Sequence, residues 1–123
     1  DPTAYTDGRL QDNDIVLFRY ADVLLMRAEA KVRNGENGTT ELNAVRQRAG
    51  MPPRTKATLD NILKERLLEL MWEGWRRNDL VRFRCFTKAY DFKPASDSYK
   101  TVFPIPDQAI ELNNKLKQNK GYQ

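Results

Sequence analysis

At 123 residues, with 21 basic against 17 acidic side chains, a net charge of +4 and 40% hydrophobic residues, the chain has the size of one domain or a piece of one. It has no histidine and one cysteine, Cys85, which excludes histidine triads, zinc sites of the usual kind and an internal disulfide. No run of about eighteen apolar residues is long enough to span a membrane.

The pI near 9.3 raises nucleic acid as a partner, but acids and bases are interspersed, and a phosphate-binding surface gathers its cations on one face. The nearest cluster, Arg76, Arg77, Arg82 and Arg84, is offset by Glu73 and Asp79. No nucleic-acid partner is therefore expected. The chain starts at Asp1 with neither methionine nor an apolar leader, so a mature or trimmed form is expected.

Residues 1–14 are polar, rich in Asp, Asn and Gly, and predict a loop or entering linker. Ile15 to Phe18 is a short apolar run, extended before a helix that begins near Arg19 and continues to Asn34, stopped by Gly35 and Gly38. Leu17, Ala21, Leu24, Leu25, Ala28 and Val32 form one apolar stripe on this helix. Val23, Met26 and Ala30 form a second on the opposite side. Two stripes predict a helix enclosed by the second and third helices, with Asp22, Glu29 and Arg33 on the flank between them.

Thr39 or Thr40 is the expected cap of a second helix reaching Ala49, with Gly50 terminating it, Pro52-Pro53 behind it, and Leu42, Val45 and Ala49 facing inward. The two helices make a hairpin of about 32 residues, the length of a helical solenoid repeat. A third helix starts after Thr58 and runs to about Gly74; a fourth covers Arg77 to Phe86. Residues 87–101, with Pro94, Ser96, Asp97 and Ser98, have no sustained period and predict a long loop. Val102 to Pro106 is extended because each proline fixes its own φ and restricts its predecessor. Pro106 opens a short helix through Leu112, and 118–123 is irregular.

The third helix carries the most informative charges. With Leu59 at zero on a wheel of about 100° per residue, Leu59, Ile62, Leu63 and Leu70 share a face, and Arg66 lies inside it. Glu73 is beside Arg66, and Glu69 is at the edge of the stripe. An arginine in an apolar stripe is costly to desolvate unless it is paired. Glu73, Asp22 and Glu29 are its expected partners. Asp22, Glu29, Arg66, Glu69, Glu73, Arg76 and Asp79 read as a structural ion network, and an acid/base site is the alternative. Neither a catalytic cluster, a cofactor site nor a metal site is expected.

Five segments, in order, resemble one family. They are Arg19-Tyr20-Ala21-Asp22-Val23-Leu24-Leu25-Met26 with Ala28-Glu29-Ala30; Val45-Arg46 with Arg48-Ala49-Gly50; Glu65-Arg66, Glu69-Leu70, Glu73-Gly74, Arg76 and Asp79-Leu80-Val81-Arg82; Phe103-Pro104-Ile105-Pro106; and Gln118-Asn119 with Gly121-Tyr122. Together they resemble the C-terminal region of the SusD/RagB family of nutrient-binding outer-membrane lipoproteins. Lys120 departs from a common proline, and Arg84-Cys85 from a frequent Trp-Gly pair.

The resemblance implies an all-α fold of tetratricopeptide-like helical hairpins with long irregular C-terminal segments, residues 1–123 being the C-terminal region of a larger protein. It implies an oligosaccharide ligand, a TonB-dependent outer-membrane transporter as partner, and a surface-exposed location held by a lipid anchor outside this chain. Cys85, in mid-chain, is no substitute for the lipid-bearing cysteine. The family binds and does not catalyse. A carboxylate glycoside hydrolase using two of Glu65, Glu69, Glu73 and Asp79 is one alternative, although Glu69 and Glu73 on neighbouring turns point the same way and cannot flank a bond. A helical-repeat interaction module is another. No motif assigns a ligand residue; Tyr90, Phe92 and Tyr99 in the 87–101 loop are candidates, either as a sugar platform or as anchors of that loop.

Overall fold

A computed structural model describes residues 16–122. The polar stretch 1–14, Ile15 and Gln123 lie outside the described residues. Among the described residues five helices follow one another, α1 (Tyr20–Arg33), α2 (Thr39–Arg48), α3 (Leu59–Glu69), α4 (Arg76–Arg82) and α5 (Asp107–Leu112), with a 3-10 turn at Ser98–Thr101. Among the described residues there is no strand; the fold is all-α, with one isolated bridge between Tyr90 and Lys93. The chain divides into two compact units, Asp1–Glu69 and Leu70–Gln123.

In the first unit α1 packs on both α2 and α3. Its core is Ala21, Leu25, Ala28, Leu42, Val45, Ala57 and Ile62. Full burial of a Leu or Ile side chain such as Leu25, Leu42 or Ile62 contributes about 1.5–3 kcal/mol. Gly38 lets the start of α2 approach α1: a Cβ there would stand 2.5 Å from the Ala28 carbonyl oxygen.

Helix ends follow local chemistry. Behind α1, Glu36 N–H donates to the Lys31 carbonyl (2.7 Å) and Gly35 N–H to Val32 (3.2 Å), with Gly35 at φ +79. Behind α2, Met51 N–H donates to Arg46 (2.9 Å) and Gly50 N–H to Gln47 (3.1 Å), with Gly50 at φ +68. Both are Schellman stops, which need the left-handed conformation that glycine adopts cheaply. At the start of α3, Asn61 N–H donates to the Thr58 hydroxyl (3.3 Å) while Thr58 N–H donates to Asn61 Oδ1 (2.8 Å), a reciprocal cap.

Four expectations are corrected. Thr39 does not cap α2: Gly38 is the cap residue, and the Thr39 hydroxyl accepts instead from Ala57 N–H at 2.9 Å, tying the helix to the segment before α3. α3 stops at Glu69, not Gly74, because Trp72 (φ +68) and Gly74 (φ +80) turn the backbone left-handed. α4 stops at Arg82, not Phe86, in a third Schellman stop: Cys85 N–H donates to Leu80, Arg84 N–H to Val81, and Arg84 itself takes φ +58. Finally, only one stripe of α1 is covered. Val23 is 47% and Met26 40% exposed, Ala30 is exposed too, and Leu17 lies outside the helix in solvent. α1 meets both its partners through the arc from Ala21 to Glu29, so the opposite arc is left open.

In the second unit Leu70, Asp79 and Leu80 are buried. Its C-terminal end is fastened by side chains to the extended 102–105 segment. Ile105 N–H donates to Gln118 Oε1 and Gln118 Nε2 donates back to the Ile105 carbonyl, both at 2.8 Å. Asn119 Nδ2 donates to the Phe103 carbonyl (2.8 Å) and the Tyr122 hydroxyl to the Val102 carbonyl (2.9 Å).

Candidate functional site

The first unit is tied together by ions. Arg66 of α3 donates from Nη1 to Asp22 Oδ1 of α1 at 2.7 Å, and each side chain is 1% exposed. Arg46 of α2 donates from Nη1 to Glu65 Oε2 of α3 at 2.5 Å and from Nε to the Pro52 carbonyl at 2.8 Å. Glu69 Oε1 accepts from Arg48 Nη2 at 2.5 Å and also from Arg19, which donates to the Glu69 carbonyl as well. Glu41 of α2 accepts from Lys31 of α1 at 2.5 Å, with Arg27 Nε 3.2 Å away. Every pair among the three helices is thus joined by at least one ion pair.

Charges inside a helix interface cost desolvation that their attraction roughly repays. What the pairing adds is register: a shift of one residue along any helix would strand a buried charge. The hydrogen bond from Lys31 holds the Glu41 carboxyl below its ordinary pKa, against the opposing effect of burial. One oxygen of each inner carboxylate, Asp22 Oδ2 and Glu41 Oε2, is buried without a hydrogen-bond partner.

Of the seven residues read as a network, Asp22, Glu29, Arg66 and Glu69 lie in the first unit, while Glu73, Arg76 and Asp79 lie in the second. Arg66 meets Asp22 directly. Glu29 is buried and accepts from Arg33 at 2.8 Å, one turn on. Asp79 is buried and accepts from Arg82 at 2.7 Å. Glu73 is exposed and Arg76 half-buried.

Sequence reasoning did not identify Arg46–Glu65, Arg19 and Arg48 on Glu69, or Lys31–Glu41. A signal for the first existed. On a wheel like the one that places Arg66, Arg46 falls about 40° from Leu42, at the edge of the Leu42–Val45–Ala49 face of α2. The others are long-range pairs between surface-compatible positions, which no wheel distinguishes.

In the second unit the segment 87–101 has a scaffold of its own. Tyr90 and Lys93 exchange backbone hydrogen bonds (3.1 and 2.8 Å), Ser96 N–H donates to the Thr87 carbonyl (2.9 Å), and Asp91 turns at φ +43. The Lys93 ammonium gathers the turn by donating to the carbonyls of Lys88 (3.3 Å) and Pro94 (3.1 Å) and to the Ser96 hydroxyl (3.3 Å). Phe92, at the tip, is fully exposed, and Tyr90 is 44% exposed with Lys93 Nζ 5.5 Å from its ring. Tyr99 stands edge-on to Tyr122 (centroids 4.8 Å apart, 86° between planes) and lies against Gly121, where a Cβ would come within 2.3 Å of the ring. That is the geometry of an anchor. Beside it the Arg77 guanidinium lies 3.7 Å from the Phe103 ring centroid and donates to the Thr101 carbonyl at 3.1 Å.

Chemically, Glu65 and Glu69 are committed to arginines in helix interfaces and do not flank an open cleft. Among the described residues no group of three or more His, Cys, Asp or Glu could hold a metal ion, and no helix is long and apolar enough to cross a membrane. Open features include the aromatic tip at Tyr90–Phe92 and, in the first unit, a groove of about 370 Å³ lined by Arg19, Tyr20, Leu24, Ala44, Val45 and Arg48 and another of about 430 Å³ at Asn43, Gln47, Gly50, Met51 and Pro53.

Comparison with known proteins is consistent from sequence to fold. The profile described as the SusD family matches residues 1–96. The starch-binding protein SusD of Bacteroides thetaiotaomicron is 38% identical over 121 residues, covering 90% of this chain and 22% of that protein. The surface glycan-binding protein A from Bacteroides uniformis superposes with a TM-score of 0.81 at 29% identity, over 95% of this chain and 30% of its own. NanU of Bacteroides fragilis gives a TM-score of 0.72 at 34% identity, over 96% and 30%. The chain spans less than a third of the length of each of these relatives.

Proposed function

Because the chain belongs to the SusD family, as the match over residues 1–96 shows, we propose that it is the C-terminal part of a longer protein that captures oligosaccharide at the cell surface. In this reading the complete protein is held at the outer membrane by a lipid anchor supplied outside these residues and hands its glycan to a TonB-dependent transporter. It binds and does not catalyse. The observation that carries the reading is the extent of the likeness to a starch-binding protein, which covers 90% of the chain at 38% identity. Two further observations support it. Three of the four carboxylates that a glycosidase could use, Glu65, Glu69 and Asp79, are held by arginines, and the exposed Phe92 and half-open Tyr90 offer apolar ring faces of the kind that sugar rings stack on. Tyr99, packed on Tyr122 and Gly121, serves to hold the segment in place.

Calorimetric titration of the complete gene product with soluble starch fragments and other oligosaccharides tests the reading. Saturable binding without release of shorter sugars is expected. Steady hydrolysis of any of them would establish the glycosidase alternative instead. Phe92→Ala should weaken binding with an unchanged melting temperature; an unchanged affinity removes the tip from the site. Transporter hand-off is tested separately, by co-purification of the gene product with an outer-membrane barrel.

A further inference from the structure

The turn from Lys88 to Ser96 contains no buried residue, so its order does not come from the core of its unit. Two backbone hydrogen bonds cross its tip and one crosses its base. Asp91 takes φ +43 there, a left-handed conformation that a residue with a Cβ adopts against its preference. A short hairpin of this kind is marginal in water by itself. The Lys93 ammonium supplies the missing hold. Its three protons meet three acceptors: the Lys88 carbonyl on the entering arm (3.3 Å), and the Pro94 carbonyl (3.1 Å) and Ser96 hydroxyl (3.3 Å) on the leaving arm. The same charge lies 5.5 Å from the centroid of the Tyr90 ring and 6.0 Å from that of Phe86, within reach of cation–π attraction. Phe86 also meets the Arg77 guanidinium at 5.0 Å, and Arg77 lies 3.7 Å from Phe103. Rings and cations therefore alternate from the extended segment out to the tip, in the order Phe103, Arg77, Phe86, Lys93, Tyr90.

We propose that Lys93 is the positioning residue of a glycan-stacking tip: its ammonium sets Tyr90 and Phe92 in place before the sugar arrives and does not itself touch the sugar. The proposal rests on the reading that this tip binds oligosaccharide. All three ammonium protons are committed to the chain, so Lys93 has none to offer a sugar hydroxyl, and its effect passes through the two rings. A ligand that meets preset rings need not order them, and each side chain ordered on binding weakens affinity by about two- to tenfold. The buried apolar residues of this unit are Leu70 and Leu80, away from the turn in sequence. Removing the charge therefore loosens the tip and leaves the fold.

The test compares the complete gene product with its Lys93→Met variant, which keeps an unbranched stem and removes the charge, and uses Phe92→Ala as a reference. Deuterium uptake over residues 87–96 is measured beside titration with maltoheptaose and other soluble oligosaccharides. In Lys93→Met the Tyr90, Lys93 and Ser96 amides should exchange at least about tenfold faster, with the α4 amides unchanged, and affinity should fall about three- to tenfold. Lys93→Cys in a Cys85→Ser background supplies the rescue. Alkylation with 2-bromoethylamine joins sulfur to carbon, expels bromide and rebuilds an ammonium at the length of lysine, which should restore both readouts; bromoethane, which adds no charge, should restore neither. Unchanged exchange in Lys93→Met overturns the proposal. Rescue by bromoethane overturns it too, since packing of the stem would then suffice. Weaker binding by Phe92→Ala beside parental affinity in Lys93→Met overturns it and leaves the tip in the site. Parental affinity in both variants, or a parent that binds none of the sugars, overturns it together with the reading of the tip.

Discussion

Asp22→Ala should be among the most damaging single substitutions in the first unit. Asp22 and Arg66 are fully buried and 2.7 Å apart. Two unit charges about 4 Å apart in an effective dielectric of about 20 attract by about 4 kcal/mol. Deleting the aspartate forfeits that attraction and leaves a guanidinium out of water, and breaking a buried pair from one side typically costs about 3–5 kcal/mol. Arg66 has at least one further interaction, so the lower end, about 3 kcal/mol, is the expectation. For a domain near this size that lowers the melting temperature by about 10 °C or more. Urea unfolding followed by circular dichroism reads the loss as a shifted midpoint at constant slope. Asp22→Asn keeps the shape and removes the charge, and should lose a comparable amount. The double variant D22L/R66M, which removes both charges and fills the space, should recover to within about 1 kcal/mol of the parent. A loss under about 1 kcal/mol for Asp22→Ala, the size of an exposed pair, would refute the reasoning, because the burial would then carry no energetic weight.

Gly38→Ala should destabilise by roughly 1–3 kcal/mol through overpacking, since the added Cβ meets Ala28 backbone 2.5 Å away at an otherwise unstrained φ of −97; an unchanged urea midpoint would count against the close approach. Arg84→Gly should stabilise by up to about 1 kcal/mol, because a left-handed arginine closes α4 where glycine pays no Cβ penalty; a lower melting temperature contradicts this. The Glu41 pKa is lowered on folding, so its contribution is complete above the ordinary glutamate range and is lost as pH falls below that range, through the folded-state value. Glu41→Gln should therefore flatten the acid limb of the stability curve, and a parallel limb in the variant would show that another group governs it.

The helices were legible where one local rule was enough. Gly35 and Gly50 stop α1 and α2 because a left-handed residue is required there, and only a glycine stood at each place. Arg66 stood out because a charge interrupted an apolar face. The rule failed where it was not local. Trp72 and Arg84 also turn left-handed, against their own preference, and α3 and α4 consequently end earlier than their periodicity suggests. Thr39 carries a good capping side chain but spends it on Ala57, eighteen residues on. The second stripe of α1 was legible as apolar, yet periodicity reports residue type along a face, not whether a neighbour covers it, and Val23 and Met26 are exposed. For the candidate site, sequence could point to Tyr90, Phe92 and Tyr99 by type alone. Only the packing of Tyr99 on Tyr122 separates an anchored ring from the exposed tip at Phe92.

The amide of Gln118 imitates a neighbouring strand: its oxygen receives the Ile105 N–H and the Asn119 N–H, and its nitrogen gives to the Ile105 carbonyl. This two-way exchange makes the fastening vulnerable to chemical ageing. Deamidation of that one side chain leaves its length and shape intact but sets a carboxylate against a carbonyl, turning an attraction into a repulsion. Since Asn119 and Tyr122 hold the adjacent carbonyls of Phe103 and Val102, the C-terminal turn would then peel from the 102–105 segment in sequence, and an old preparation would differ from a fresh one by an amino group exchanged for an oxygen and one added negative charge.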